Sequence, residues 1–146
     1  MSNIIRGLYA GFLASLLIAA LYFVDYGPGN DYYGVANWFA LGTKDTGKFY
    51  GFLVIIFLGL LFGLIFGLLQ GSKLISIRRA IITGVALGLA WWVIFALLVA
   101  NFAGRAPIAH ITIGSFLYPF VLCLVYGLLL GTIYFQSTVR RVIQAK

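Results

Sequence analysis

The feature that most constrains the fold of this chain is the uncharged run 57–71, FLGLLFGLIFGLLQG, in which every fourth residue is glycine. The glycines are Gly59, Gly63, Gly67 and Gly71, and the residues between them are almost all Leu, Ile and Phe. In an α-helix, residues at this spacing lie along one face, which drifts by about 40° at each step. The run therefore predicts a membrane helix with a side-chain-free stripe, against which a second helix packs closely at a crossing angle.

The composition of the whole chain is that of a protein embedded in a lipid bilayer. Of its 146 residues, 63% are hydrophobic and 9% are charged, whereas a soluble domain carries about 25% charged residues. The net charge of +7 comes from basic residues that flank apolar segments, so we interpret it as a topology signal and expect no nucleic-acid binding. We expect a single transmembrane domain, 1–146.

Four apolar segments are long enough to span a bilayer, which requires about 20 helical residues. Their approximate limits are 4–24, 49–70, 80–101 and 111–135. An open sheet would leave unpaired backbone groups in hydrocarbon, and the segments lack the alternation of a barrel. The sequence therefore predicts an all-α integral membrane four-helix bundle, in which the extracytoplasmic loop 25–48 carries a short interfacial element.

The distribution of charge predicts the orientation of this bundle. One side carries seven basic residues and no acid, whereas the other side carries three basic residues and all three aspartates. Because cytoplasmic ends hold the excess of Lys and Arg, both termini are expected in the cytoplasm. Arg6 is counted as preceding the first helix. The seven basic residues are Arg6, Lys73, Arg78, Arg79, Arg140, Arg141 and Lys146.

Small residues recur at the same spacing in the other helices, so glycine-rich packing is expected throughout the bundle. The expected packing residues are Gly7, Gly11, Gly59, Gly63, Gly67, Gly71, Gly84, Gly88, Gly127 and Gly131. The pattern leaves open whether these stripes pack within the chain, against another chain, or against a lipid or pigment. Similar segments around Gly7 and Ala80, and around Gly63 and Gly127, also suggest two repeated hairpins in the same orientation.

A polar cluster is predicted at the outer face of the bundle. An Asp25–Arg105 pair would close this end, and as a solvent-exposed ion pair it would contribute little to stability. The alternative is a pH-sensitive gate in which His110 titrates near neutral pH. The cluster consists of Asp25, Asp31, Asp45, Arg105 and His110.

Several motifs occur in an order and spacing that resemble a known family. They are ALGTK at 40–44, Gly59 and Gly63, GVALGLAWW at 84–92, and Tyr126-Gly127 followed by Gly131. In these residues the chain resembles the YqhR-type conserved membrane proteins of Gram-positive, often spore-forming bacteria, over roughly 40–135. The resemblance implies a four-helix bacterial membrane protein of no established activity, and it carries over no catalytic residue.

Residues able to carry chemistry are sparse in this sequence. A metal site needs converging His, Cys or acidic ligands, and the chain has one His and one Cys. A nucleophile–base pair would require something like Ser115 with His110, which do not share a helix face well and have no adjacent acid. We therefore expect no catalytic residue, no bound metal or cofactor, and no enzymatic activity.

The interpretation that remains is a non-enzymatic multi-pass protein of the bacterial plasma membrane that acts through helix packing. Its expected partners are the lipid bilayer and either other membrane protein subunits or further copies of itself as a homo-oligomer. The alternative is a small transporter or channel whose pore is lined by hydroxyl groups and glycine backbone. Ion pathways usually place ionisable residues inside the spans, and none is expected there.

Overall fold

The computed structural model describes residues 2–26, 46–70, 76–94 and 113–144, and these ranges contain four α-helices. The helices are α1 (Asn3–Tyr26), α2 (Gly47–Gln70), α3 (Ile77–Trp92) and α4 (Ile113–Gln144). No strand occurs in the described ranges. The prediction of an all-α chain with four helices is therefore confirmed for this part of the protein.

Three of the four helices are long and apolar enough to cross a membrane. The segments that meet this condition are Asn3–Leu21 in α1, Phe49–Gln70 in α2 and Phe120–Val139 in α4. In hydrocarbon a helix satisfies all its backbone hydrogen bonds internally, so a bilayer would favour the helical form even in a glycine-rich segment such as α2. These helices fit a protein of the membrane.

The helix limits agree with the sequence prediction at α1 and α2 and differ at α4. That helix continues to Gln144, well beyond the predicted limit at 135. Hydropathy falls after Phe135, but the following stretch, 136–144, contains neither Pro nor Gly, so the helix continues past its apolar part. The interfacial element predicted in the loop 25–48, like the second half of the third predicted span, lies outside the described residues.

The helices pair as two antiparallel hairpins, α1 with α2 and α3 with α4, and α1 also packs along α4. Gly67 of α2 lies against Asn3 of α1, and Gly131 of α4 lies against Ala80 of α3. Arg6 of α1 is hydrogen-bonded to Thr138 of α4. The starts of α1 and α3 and the ends of α2 and α4 therefore lie together, at what we call the Arg6 end of the bundle.

The core lies between the two hairpins and is rich in aromatic residues. Its buried aromatic side chains come from α2, α3 and α4, whereas α1 contributes Ile18 and small residues such as Ala10 and Ala14. The buried large residues of this core are Ile18, Leu58, Phe62, Phe66, Trp91, Leu122, Tyr126, Leu130 and Tyr134.

Candidate functional site

The first candidate feature is the seam where α1 meets α2. A Cβ atom placed on Gly7 would lie 2.8 Å from Gly67 Cα, and one placed on Gly11 would lie 2.8 Å from Gly63 Cα. Gly59 faces Ser15 in the same row. Because the two backbones leave no room for a side chain at these positions, the close approach of the helices depends on glycine.

A second seam of the same construction joins α3 to α4. A Cβ atom placed on Gly127 would lie 2.8 Å from the carbonyl carbon of Gly84, and one placed on Gly131 would lie 2.6 Å from the carbonyl oxygen of Ala80. Gly88 faces the carbonyl group of Cys123. In both seams, moving four residues forward along one helix corresponds to moving four residues backward along its partner. The two hairpins therefore share one packing register.

An aromatic group joins the two hairpins at mid-height. The indole of Trp91 stacks on Phe62, with ring centroids 5.2 Å apart and planes inclined by 8°. The ring of Tyr126 meets the same indole edge to face at 4.6 Å. The Tyr126 hydroxyl donates a hydrogen bond of 2.8 Å to the carbonyl oxygen of Gly59, inside the first seam. One residue of the second hairpin is thus bonded directly to the glycine row of the first.

The structure places a buried charge at the Arg6 end, which the charge and hydropathy pattern of the sequence does not predict. Arg6 is only 6% exposed. Its Nη1 donates to Thr138 Oγ1 at 3.2 Å and its Nη2 donates to Asn3 Oδ1 at 2.9 Å. The expectation that Arg6 precedes the first helix, and that no ionisable residue lies within the spans, is therefore wrong.

The reason lies in where α1 begins and which face Arg6 occupies. The Ser2 hydroxyl accepts a hydrogen bond from the Ile5 backbone N–H at 3.3 Å, and this cap starts the helix before Arg6. Arg6 precedes Ala10 and Ala14 by four and eight residues, and both alanines are fully buried. The four-residue spacing places the arginine on the same inward face, which is the signal that a count of flanking charges overlooks.

Gln70 is a second buried polar residue at this end. It is 5% exposed, and neither its Nε2 nor its Oε1 has a hydrogen-bond partner. Its position follows from the contact between Phe66 and Tyr134, whose ring centroids lie 5.0 Å apart. Because α2 and α4 run parallel, one further turn along each helix leads from this pair to Gln70 and Thr138. The unpartnered amide therefore lies at the level of the Arg6–Thr138 hydrogen bond.

The outer cluster predicted from the sequence lies almost entirely outside the described residues. Asp25 belongs to the last turn of α1, at the end opposite Arg6. Asp31, Asp45, Arg105 and His110 lie in segments that the structure does not describe, as does Gly71. The outer ion pair and the pH-sensitive gate therefore remain predictions. Over the described ranges, no group of three or more His, Cys, Asp and Glu side chains is close enough to hold a metal ion.

Comparison with known proteins identifies no relative. No protein-family model matches the chain, and neither the curated proteins nor the solved structures yield a match. The resemblance to YqhR-type membrane proteins therefore remains a prediction from the quoted motifs.

Proposed function

We propose that this chain is a non-enzymatic integral membrane protein of the bacterial plasma membrane, with both termini in the cytoplasm, in keeping with its YqhR-like motifs. It acts through helix packing, as an accessory or structural subunit of a larger membrane complex or as a homo-oligomer. The observation that carries the proposal is that the glycine rows of both hairpins are filled by contacts between helices, while large apolar side chains cover the outside.

The two glycine seams are already filled by helices of the same chain. Each seam is filled by the partner helix of the same hairpin, so that backbone lies on backbone at Gly11 and Gly63 and again at Gly84 and Gly127. Tyr126 then bonds one hairpin to the other. The glycine rows are thus occupied within the chain. Contacts with another protein would therefore use the outward faces of the helices.

The outward faces of the helices carry the large apolar side chains that cover the outside of the bundle. On α2, four large apolar side chains lie four residues apart and are exposed, with Phe57 at 65% exposure. A similar row runs along α1. Such faces suit lipid chains and equally suit the helices of a neighbouring subunit. The two rows are Phe49, Leu53, Phe57 and Leu61 on α2, and Ile5, Tyr9, Phe12 and Leu16 on α1.

The alternative, a transporter or channel, would require an aqueous path lined by hydroxyl and glycine backbone groups. In the described helices these groups already have neighbours. Ser15 Oγ donates to the Phe12 carbonyl oxygen at 2.9 Å, and Thr132 Oγ1 donates to the Leu128 carbonyl oxygen at 2.9 Å, the common behaviour of such residues in membrane helices. A pore of this kind would therefore lie on the axis of an oligomer, not within one copy of the chain.

The test is native mass spectrometry of the protein extracted gently from its own membrane. Release with larger membrane subunits in a fixed ratio supports the accessory role, and a single defined homo-oligomer supports self-assembly. A monomer that moves a solute across vesicles when reconstituted alone would overturn the proposal. Phe57→Ala supplies a matched variant, because it changes only an outward side chain and leaves both seams intact.

A further inference from the structure

We propose that the Arg6 end of the bundle binds a phosphate ester that also carries a hydroxyl group. This is the chemistry of a phosphoglycerol lipid headgroup and of free glycerol phosphate. The site consists of Arg6 and Gln70, with Thr138 and Asn3 holding the guanidinium in place. The inference goes beyond the packing role, because it assigns a ligand to this end whether or not a partner subunit exists.

The unpartnered amide of Gln70 is the observation that points to a ligand. Buried amide groups are nearly always hydrogen-bonded, because leaving them without a partner forfeits their interaction with water. Gln70 leaves both a donor and an acceptor unused at 5% exposure. A ligand that satisfies both atoms must present an acceptor to Nε2 and a donor to Oε1. A phosphate oxygen and a hydroxyl group on the same small molecule meet this requirement.

The guanidinium of Arg6 supplies the charge that favours a phosphate. A planar arginine fork binds phosphate oxygens well, and its hydrogen bonds to an anion are stronger than neutral ones. Thr138 accepts from Nη1 while donating its own hydroxyl hydrogen to the Tyr134 carbonyl oxygen at 3.0 Å. The Thr138 hydroxyl thus both accepts and donates a hydrogen bond, and Thr138 acts as a positioning residue that holds Arg6 at the level of Gln70.

The charge balance at this end also favours an anion. Arg78 and Arg79 lie exposed in the first turn of α3, at the same end as Arg6. No Asp or Glu lies at this end among the described residues, since the chain has three acids and the described one, Asp25, lies at the far end of α1. Gln70 is the last residue of α2 and Asn3 the first of α1, so the site lies at one end of the bundle.

The test measures binding to the purified full-length chain in micelles of phosphatidylcholine, titrated with phosphatidylglycerol of the same acyl chains. Phosphatidylcholine has the same phosphodiester but no hydroxyl donor. We expect preferential binding of phosphatidylglycerol, and a loss of at least about tenfold in affinity for Arg6→Gln and for Gln70→Leu, the factor that one hydrogen bond to a charged group supplies. Gln136→Leu, at an exposed position, is the matched control for Gln70→Leu and should bind as the wild type does. Arg79→Gln removes an exposed charge at the same end and should lose much less affinity than Arg6→Gln.

Two further arms make the outcome decisive. Glycerol 1-phosphate that competes with the lipid at equal affinity identifies a free ester as the ligand, and failure to compete identifies the lipid headgroup. In phosphatidylcholine alone, Gln70→Leu should unfold at the same or a higher temperature than the wild type, because it removes an unpartnered amide.

Equal binding of both lipids, or undiminished binding by Gln70→Leu, overturns the proposal. So does an equal loss in Arg79→Gln, which would indicate surface charge alone. None of these results depends on partner subunits, so they leave the proposed function to its own test.

Discussion

The hydroxyl of Tyr126 donates a hydrogen bond of 2.8 Å to the backbone carbonyl oxygen of Gly59, across 67 residues of chain. The acceptor lies within the glycine row of the first hairpin, and the donor is one residue before Gly127 in the second. Because Gly59 has no side chain, its carbonyl oxygen is accessible to a side chain from α4. This one bond therefore links both seams, and the aromatic group around Trp91 surrounds it.

Replacing Tyr126 with Phe removes this hydrogen bond and keeps the ring contact with Trp91. Hydrogen bonds between membrane helices contribute about 0.5–1.5 kcal/mol, so we expect Tyr126→Phe to lower the free energy of unfolding in detergent micelles by that amount. Tyr9→Phe is the control, because Tyr9 is 49% exposed; its effect should stay within about 0.5 kcal/mol. Equal losses in the two variants would show that the bond to Gly59 contributes nothing.

Alanine at a seam glycine should destabilise the protein although alanine is the better helix former. Gly63→Ala places a Cβ 2.8 Å from Gly11 Cα, and Gly127→Ala places one 2.8 Å from the Gly84 carbonyl carbon. Overpacking of this kind costs about 1–3 kcal/mol, which exceeds the gain of about 1 kcal/mol in helix propensity. We expect both variants to be less stable than the wild type in a denaturant titration.

The exposed residue Ala20 provides the opposite control for the seam prediction. Ala20→Gly should lower stability through helix propensity alone, by about 1 kcal/mol. Glycine should therefore give a less stable protein than alanine at position 20, and a more stable one than alanine at position 63. A stabilising Gly63→Ala would contradict the seam. The double variant Gly63→Leu with Gly67→Leu should lose the folded chain itself, since the space it invades is occupied by α1.

Hydropathy and spacing are enough to predict four helices, because long apolar segments can only be helical in a bilayer. Spacing cannot say what covers each glycine stripe, since a row of glycines has the same sequence pattern whether its neighbour is in the same chain, another chain or a lipid. Arg6 escapes prediction because a single charge barely changes the mean hydropathy of a long window. Gln70 and Thr138 lie at the same height because of the register of α2 against α4, and the separate sequences of the two helices do not specify that register.

The two threonines of α4 offer a comparison that isolates the buried arginine. Thr138 accepts a hydrogen bond from Arg6, whereas Thr132 donates only to carbonyl oxygens of its own helix among the contacts described. Valine has nearly the same shape as threonine. Since a hydrogen bond to a charged group contributes about 1.5–3 kcal/mol, Thr138→Val should lower the free energy of unfolding by about that amount, and Thr132→Val by less than about 0.5 kcal/mol. Similar losses at both positions would mean that Arg6 does not depend on Thr138.

The orientation of the bundle is tested by labelling from each side of the membrane. Ser2 and Thr46 are both exposed, and they lie at opposite ends because α1 and α2 are antiparallel. In a chain whose one native cysteine is changed by Cys123→Ala, an impermeant thiol reagent should label Ser2→Cys only in inside-out vesicles and Thr46→Cys only in intact cells, because the end richer in basic residues faces the cytoplasm. Permeabilised cells, in which both sites should react, control for accessibility. The reverse pattern would invert the topology, and labelling of both positions from one side would show that α1 does not cross the bilayer.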